Sequence, residues 1–264
     1  MKPYRLIPIL ISLLLIWLTP ITYALDNAPL TLSIGVPAYR YPYSYADNKQ
    51  QASGILIEVL KGVCERLKAT CSFNIGTTDD LLPDLQALKL NAVLILDTFI
   101  VPEVDNIQLS RPLCTLKPVF IQNKQDPPRH AITDYKGTRI AVLEGSIYQI
   151  YLLDTYSQLA RIKPYLFLEN AIFDLVYGRV DALLTEDAFM QERIKNTSLW
   201  GYHGFTLNYP TPNDLSATAM TLAVRNQDTD LFKQLDKALP TTKDQQPPAC
   251  SELLKSTTPD KGKH

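Results

Sequence analysis

Apolar residues return at two different periods along this chain, and the switch between them predicts most of its elements. Over Gly54–Leu67, Ile55, Val59, Val63 and Leu67 recur at helical spacing, and Cys71–Ile75 just beyond is short and β-rich, so a helix is expected to turn back into a strand. Upstream, Leu30–Val36 reads as a first strand and Pro37–Ser53 as a turn-rich passage into that helix. Downstream, Leu81–Leu88 predicts a short helix, and the unbroken apolar run of Asn91–Leu96 predicts a fully buried strand. Asp126, Pro127 and Pro128 then break the pattern. It resumes with a strand at Arg139–Leu143, a helix at Ala171–Tyr177, a turn at Gly178–Val180 and a strand at Asp181–Thr185.

Two of these passages are copies of one phrase. LPDLQALKLNAVLIL and AIFDLVYGRVDALLT each read as a short amphipathic helix, a basic turn, Asn or Asp followed by Ala, and an apolar strand. Helices alternating with apolar strands imply an α/β protein with a mostly parallel sheet, and one copy in each half implies two similarly built lobes. The tail beyond Pro240 is rich in Pro, Lys, Thr and Asp and is expected to be loosely held apart from an apolar spot at Leu253-Leu254.

The first residues change the compartment. Lys2 and Arg5 precede an apolar run from Leu6 to Leu18, and Thr22-Tyr23-Ala24 places small residues where a signal peptidase reads, so residues 1–24 are expected to be a cleaved secretory signal and the mature protein exported. The run is shorter than the ~20 residues a spanning helix needs and is interrupted by Pro8 and Pro20. The formal net charge is −1 and becomes more negative when Lys2 and Arg5 leave, which argues against nucleic acid or an anionic membrane surface as partner. A small solute is the expected partner, and the protein is expected to be a monomer.

In an oxidising compartment Cys64 and Cys71, on a helix and the strand it turns into, come within reach of a disulfide; two buried free thiols are the alternative. Spacing leaves the pairing of Cys114 with Cys250 open. Catalytic signals are thin: the chain carries no Gly-rich phosphate loop, no G-x-S-x-G and no His-rich motif, and His130 and His203 lack Cys or Asp companions at metal-ligand spacing. Neither a metal nor another cofactor is expected.

From Leu30 to about Leu239 the sequence resembles the periplasmic solute-binding proteins of polar amino-acid ABC transporters, bacterial extracellular solute-binding family 3. The resemblance is carried by GILIEVLKGVCERLKATCSF, Ser110-Arg-Pro112, Ile132–Gly137 followed by IAVLEGS, and GRVDALLTED. It implies the type II periplasmic-binding fold: two α/β lobes joined by two crossover strands, near Val119–Asn123 and Thr221–Arg225, with the ligand between them. Lobe 1 would comprise residues 25–120 and 222–264, lobe 2 residues 121–221. The Cys64–Cys71 spacing resembles the disulfide of the family's arginine/lysine/histidine-binding branch. Independently of any family, ligands of open α/β sheets bind beyond the carboxyl ends of strands, here at Pro37–Tyr43, Asp97–Thr98, Glu144–Ile147 and Thr185–Asp187.

Several positions depart from the family's pattern. An amino-acid ligand needs a cation with a donor fork for its carboxylate and a fixed carboxylate for its ammonium. Counted without gaps, the family's carboxylate-binding arginine falls on Glu103, a reversed charge, while the opposing carboxylate survives as Glu186. Pro37 fills an acidic position, and the family's stacking aromatic aligns with Arg40, flanked by Tyr39 and Tyr41. Family hydroxyls become Ile95, Leu96 and Asp97, leaving Thr98 as a donor. Ser146 lies in a loop that touches ligand in the family. The candidate ligand residues are therefore Tyr39, Arg40, Tyr41, Asp97, Thr98, Glu103, Ser146 and Glu186. Each has a plainer use: Glu103 after Pro102 suits a helix start, as do Glu186 and Asp187, and the tyrosines around Arg40 suit a core edge.

The function implied is capture of a small polar solute, amino-acid-like or cationic, and its delivery to an inner-membrane ABC permease or sensor. The reversed charge at Glu103 predicts no micromolar binding of arginine, lysine, histidine or glutamine and a preference for ligands without a free α-carboxylate, cationic ones first, unless Arg40 has taken over that carboxylate. The alternative is a ligand-poor accessory protein that docks on another periplasmic protein. An enzyme like the dehydratases sharing this fold ranks third, since no paired acid and base stand out.

Overall fold

The structure, a computed structural model, describes residues 29–96, 106–195, 204–208, 218–244 and 246–257. Strand β1 (Thr31–Pro37) buries Leu32, Ile34 and Val36 and leads into a small three-stranded sheet of β2 (Tyr39–Arg40), β3 (Ser44–Ala46) and β4 (Ala52–Ser53). Helix α1 (Ile55–Arg66) lays Ile55, Leu56, Leu60 and Val63 on the β1 face, and β5 (Thr70–Gly76) returns parallel to β1 with Leu32 opposite Cys71. Helix α2 (Thr78–Gln86) begins three residues before the expected Leu81, because the Thr77 hydroxyl accepts from the Asp80 amide and caps it. Then come β6 (Ala92–Leu96), β7 (Ile107–Leu109) and β8 (Cys114–Leu116).

The second half repeats the plan. After β9 (Pro118–Asn123) come β10 (Arg139–Leu143), α3 (Ile147–Tyr156), β11 (Arg161–Tyr165), α4 (Leu168–Val176), β12 (Ala182–Glu186), α5 (Asp187–Lys195) and β13 (Phe205–Asn208). The chain closes with β14 (Thr218–Arg225), α6 (Thr229–Ala238) and α7 (Cys250–Thr257). One sheet has the order β5-β1-β6-β14-β7, with β8 also on β14; the other is β11-β10-β12-β9-β13. In each, the first strand lies between the second and third, all parallel, and the third pairs with an antiparallel strand from beyond the unit. This puts the carboxyl ends of β1, β5 and β6 on one edge of their sheet and those of β10, β11 and β12 on one edge of theirs.

The chain leaves the first sheet after Leu116 and joins the second at Pro118, and it returns between Asn208 and Thr218. Pro118–Phe120 therefore pair with β12, and Thr218–Thr221 with β8 and β6, on the sides opposite to those expected from the sequence. The crossings fall just before the two strands expected near them, Val119–Asn123 and Thr221–Arg225, which lie in β9 and β14 of the sheets the chain enters. Both are almost wholly buried, so nothing in their hydrophobic pattern marks which sheet they join.

Both cysteine pairs are bonded. Cys64–Cys71, with an S–S distance of 2.01 Å, ties α1 to β5, and Cys114–Cys250, at 2.04 Å, ties β8 to α7. The tail expected to be loose is thus docked as far as Thr257: Ala249, Cys250 and Leu254 are buried, and Thr115 bridges to Ala249. Its polar composition hid a helix that one covalent bond and two apolar residues hold down.

Candidate functional site

The strand ends of both sheets converge on one cavity of ≈ 350 Å³. Pro37–Tyr41 and Tyr43 line it from the end of β1, Gly76–Thr78 from β5, Leu143 and Glu144 from β10, Leu166–Glu169 from the passage between β11 and α4, and Glu186 and Phe189 from β12 and α5. These are the positions where parallel α/β sheets place ligands.

Arg40 reaches the cavity because the loop carrying it is pinned at both ends. The Ala38 amide donates to Gly76 O (3.0 Å) and the Ser44 hydroxyl to Pro37 O (2.8 Å). The first amides of α1, Ile55 and Leu56, donate to Pro42 O and Tyr43 O at 3.0 Å each, so the helix start is spent on holding this loop. Gly54 makes that junction feasible: at φ 123°, a Cβ there would lie 2.4 Å from Tyr43 O. Burial pulls the Arg40 guanidinium down to about 10, against the opposing pull of Glu186, so it remains a cation at neutral pH.

Glu186, at the end of β12 in the other sheet, is 7% exposed and accepts a hydrogen bond of 3.0 Å from the Thr185 hydroxyl. Burial raises its carboxyl above the usual range; its own amide, Thr185 and Arg40 act in the opposite sense. The buried phenols of Tyr43 and Tyr148 are pushed well up, first by burial and then by this carboxylate. Tyr148, on α3, meets the Thr218 hydroxyl of β14 at 3.1 Å, so a polar contact between the two halves lies near Glu186.

Tyr41 spans the two halves. Its hydroxyl donates to Glu192 Oε1 (3.3 Å), and the Arg193 guanidinium lies 4.7 Å from its ring centroid while ion-pairing with Glu169. Tyr39, by contrast, stands 86% exposed at the cavity mouth.

Of the residues singled out from sequence, the cavity gathers Tyr39, Arg40, Tyr41 and Glu186. Ser146 is not among its lining. It caps α3, donating to Leu143 O (2.6 Å) and accepting from the Gln149 amide (3.3 Å). Asp97, Thr98 and Glu103 lie outside the described residues. Sequence reasoning missed Thr77, Thr78, Leu166, Phe167 and Glu169, which follow β5 and β11. For Thr77 and Thr78 a signal was at hand: the strand read at Cys71–Ile75 runs parallel beside β1, so its carboxyl end falls at the same edge.

Two α/β lobes with opposite charges buried at a shared cleft define a two-lobed periplasmic-binding-protein fold of type II. The model of the bacterial extracellular solute-binding proteins, family 3, matches residues 32–247, and the chain belongs to that family. It is 26% identical over 214 residues to the putative ABC transporter arginine-binding protein 2 of Escherichia coli, covering 81% of this chain and 85% of that one. Among solved structures it is similar to an arginine-specific periplasmic binding protein of Salmonella typhimurium, with TM-score 0.58, 25% identity, and coverage of 80% of this chain and 92% of the other. It also shares its fold with the unliganded, open L-cystine solute receptor of Neisseria gonorrhoeae, with TM-score 0.65, 20% identity and coverage of 81% and 86%.

Proposed function

We propose that this solute-binding protein captures an amino-acid-like zwitterion in the cleft, the solute's carboxylate on Arg40 and its ammonium on Glu186, and delivers it to an ABC permease of the inner membrane. It works in the periplasm after loss of residues 1–24, as a monomer and without chemistry of its own. The observation that carries this reading is the pairing of a half-buried cation from one lobe with a buried carboxylate from the other on a single cavity. A solute bridging the two rewards only the closed state, and that difference is what shifts a two-lobed equilibrium. Arg40 thus answers the need for a carboxylate receptor, whatever Glu103 does. The relatives' names support solute transport over an accessory docking role, which presupposed an emptied site.

Calorimetry on the purified protein tests it. A panel of α-amino acids is expected to yield micromolar binding for at least one member. Arg40→Ala and Glu186→Ala should each lower that affinity by ~10–100-fold, the loss of a charge-assisted hydrogen bond. No binding across the panel would refute the reading.

A further inference from the structure

Resting on that reading, we infer that the solute carries an apolar, ring-bearing side chain, and that Tyr39 and Phe167 select it. Arg40 and Glu186 occupy the buried part of the cavity and account for the backbone charges of an amino acid. Its mouth is different. Tyr39 is 86% exposed on one lobe, and Leu166 and Phe167 are 72% and 63% exposed on the other.

Single exposed apolar side chains need no explanation. Large ones brought from two lobes to the wall of one cavity form a surface that a bound solute takes out of water. Among the described residues, the acidic side chains at this end offer a cationic side chain little. Glu169 is already ion-paired with Arg193, and Glu144 is exposed, where water screens it. A guanidinium or ammonium placed here would lose hydration against apolar surface and gain one screened carboxylate. A ring would cover Tyr39 and Phe167 with no such loss.

Competition calorimetry separates this inference from the reading beneath it. L-phenylalanine and L-tyrosine are expected to bind at least about tenfold more tightly than L-arginine and L-lysine. Tyr39→Ala and Phe167→Ala, both at exposed positions, should each weaken L-phenylalanine by about tenfold. Arginine or lysine binding as tightly as phenylalanine, or unchanged phenylalanine affinity in both variants, would overturn the inference and leave the zwitterion reading standing. Phenethylamine or 3-phenylpropionate matching L-phenylalanine would instead overturn the zwitterion reading, since each lacks one of the two charges.

Discussion

Asp84 and Asp174 hold the same place in the two lobes. Each backbone carbonyl accepts from two amides past the helix end, those of Lys89 and Leu90 in one lobe and of Arg179 and Val180 in the other. Each carboxylate also ion-pairs with the base five residues on, Lys89 or Arg179. Leu88 and Gly178 take the left-handed conformation that lets the turn close, at φ 63° and 65°. Three residues further on, a side chain clasps the neighbouring parallel strand: that of Asn91 accepts from the Ser33 amide of β1, and that of Asp181 from the Arg139 amide of β10.

The copies differ in how much they hold. Among the described residues Asp84 has one basic partner, whereas Asp174 also accepts from Lys163 and from the Tyr165 hydroxyl, and those partners pull its carboxyl far below the usual range. A depressed carboxyl contributes stability that is present above its unfolded value near ~4 and is lost as pH falls through the folded value. Asp174→Ala is expected to cost about 1–2 kcal/mol at pH 7 and much less at pH 2, while Asp84→Ala costs about 0.5 kcal/mol. Urea melts at the two pH values check both, and equal costs would remove the distinction.

This turn also shows why the fold was legible. Helix, basic turn and apolar strand are local patterns, and their recurrence gave the two lobes. β11 was not legible, because RIKPY is an edge strand with no fully buried residue and a proline, and carries no apolar run. Missing it hid Leu166 and Phe167. Ser146 failed for another reason: a hydroxyl before a helix suits a ligand donor and an N-cap equally, and only the position of Leu143 O decides. Arg40 and Glu186 were named from sequence as a cation and a carboxylate. That they share a cavity depends on how two lobes meet, which no local spacing records.

The two disulfides close loops of very different length. Cys64 and Cys71 are separated by 7 positions, and Cys114 and Cys250 by 136. Chain entropy assigns about 2 kcal/mol to the first and about 5 kcal/mol to the second. Paired serine substitutions should therefore lower the melting temperature far more for Cys114 and Cys250, and free α7 from β8 as well. A larger loss for the short loop would mean that native strain, not loop entropy, sets the difference.

Tyr41 links the loop that carries Arg40 to the helix that follows Glu186, so its contacts should bias closure. Its interaction with Arg193 is worth about 0.5–2 kcal/mol as a cation–π pair. Tyr41→Leu and Arg193→Met are each expected to weaken solute affinity several-fold, and the double variant to be no worse than the sum less about 1 kcal/mol. Strict additivity would show that the two side chains act on binding separately.

Glu186 sets stability against binding. Its carboxyl is raised by burial, so the folded protein holds the proton more tightly than the unfolded chain does. The stability it contributes is therefore present at low pH and falls as pH rises from the unfolded value near ~4.3 through the raised one. With the solute held as proposed, affinity is expected to run the other way: an ammonium needs the ionised carboxylate, so binding should grow over the same interval and decline again as Arg40 loses its charge at about 10. Glu186→Gln removes the buried charge while keeping the shape of the side chain. It should raise the unliganded protein's stability at pH 8 by about 0.5–2 kcal/mol, flatten its dependence on pH in the acid range, and cost ~10–100-fold in solute affinity. Thermal melts without solute, set beside calorimetry at matched pH, test both halves. A variant that is less stable than the parent at pH 8 would show that the Thr185 hydrogen bond and Arg40 outweigh desolvation, and that Glu186 holds the lobes together as well as the solute.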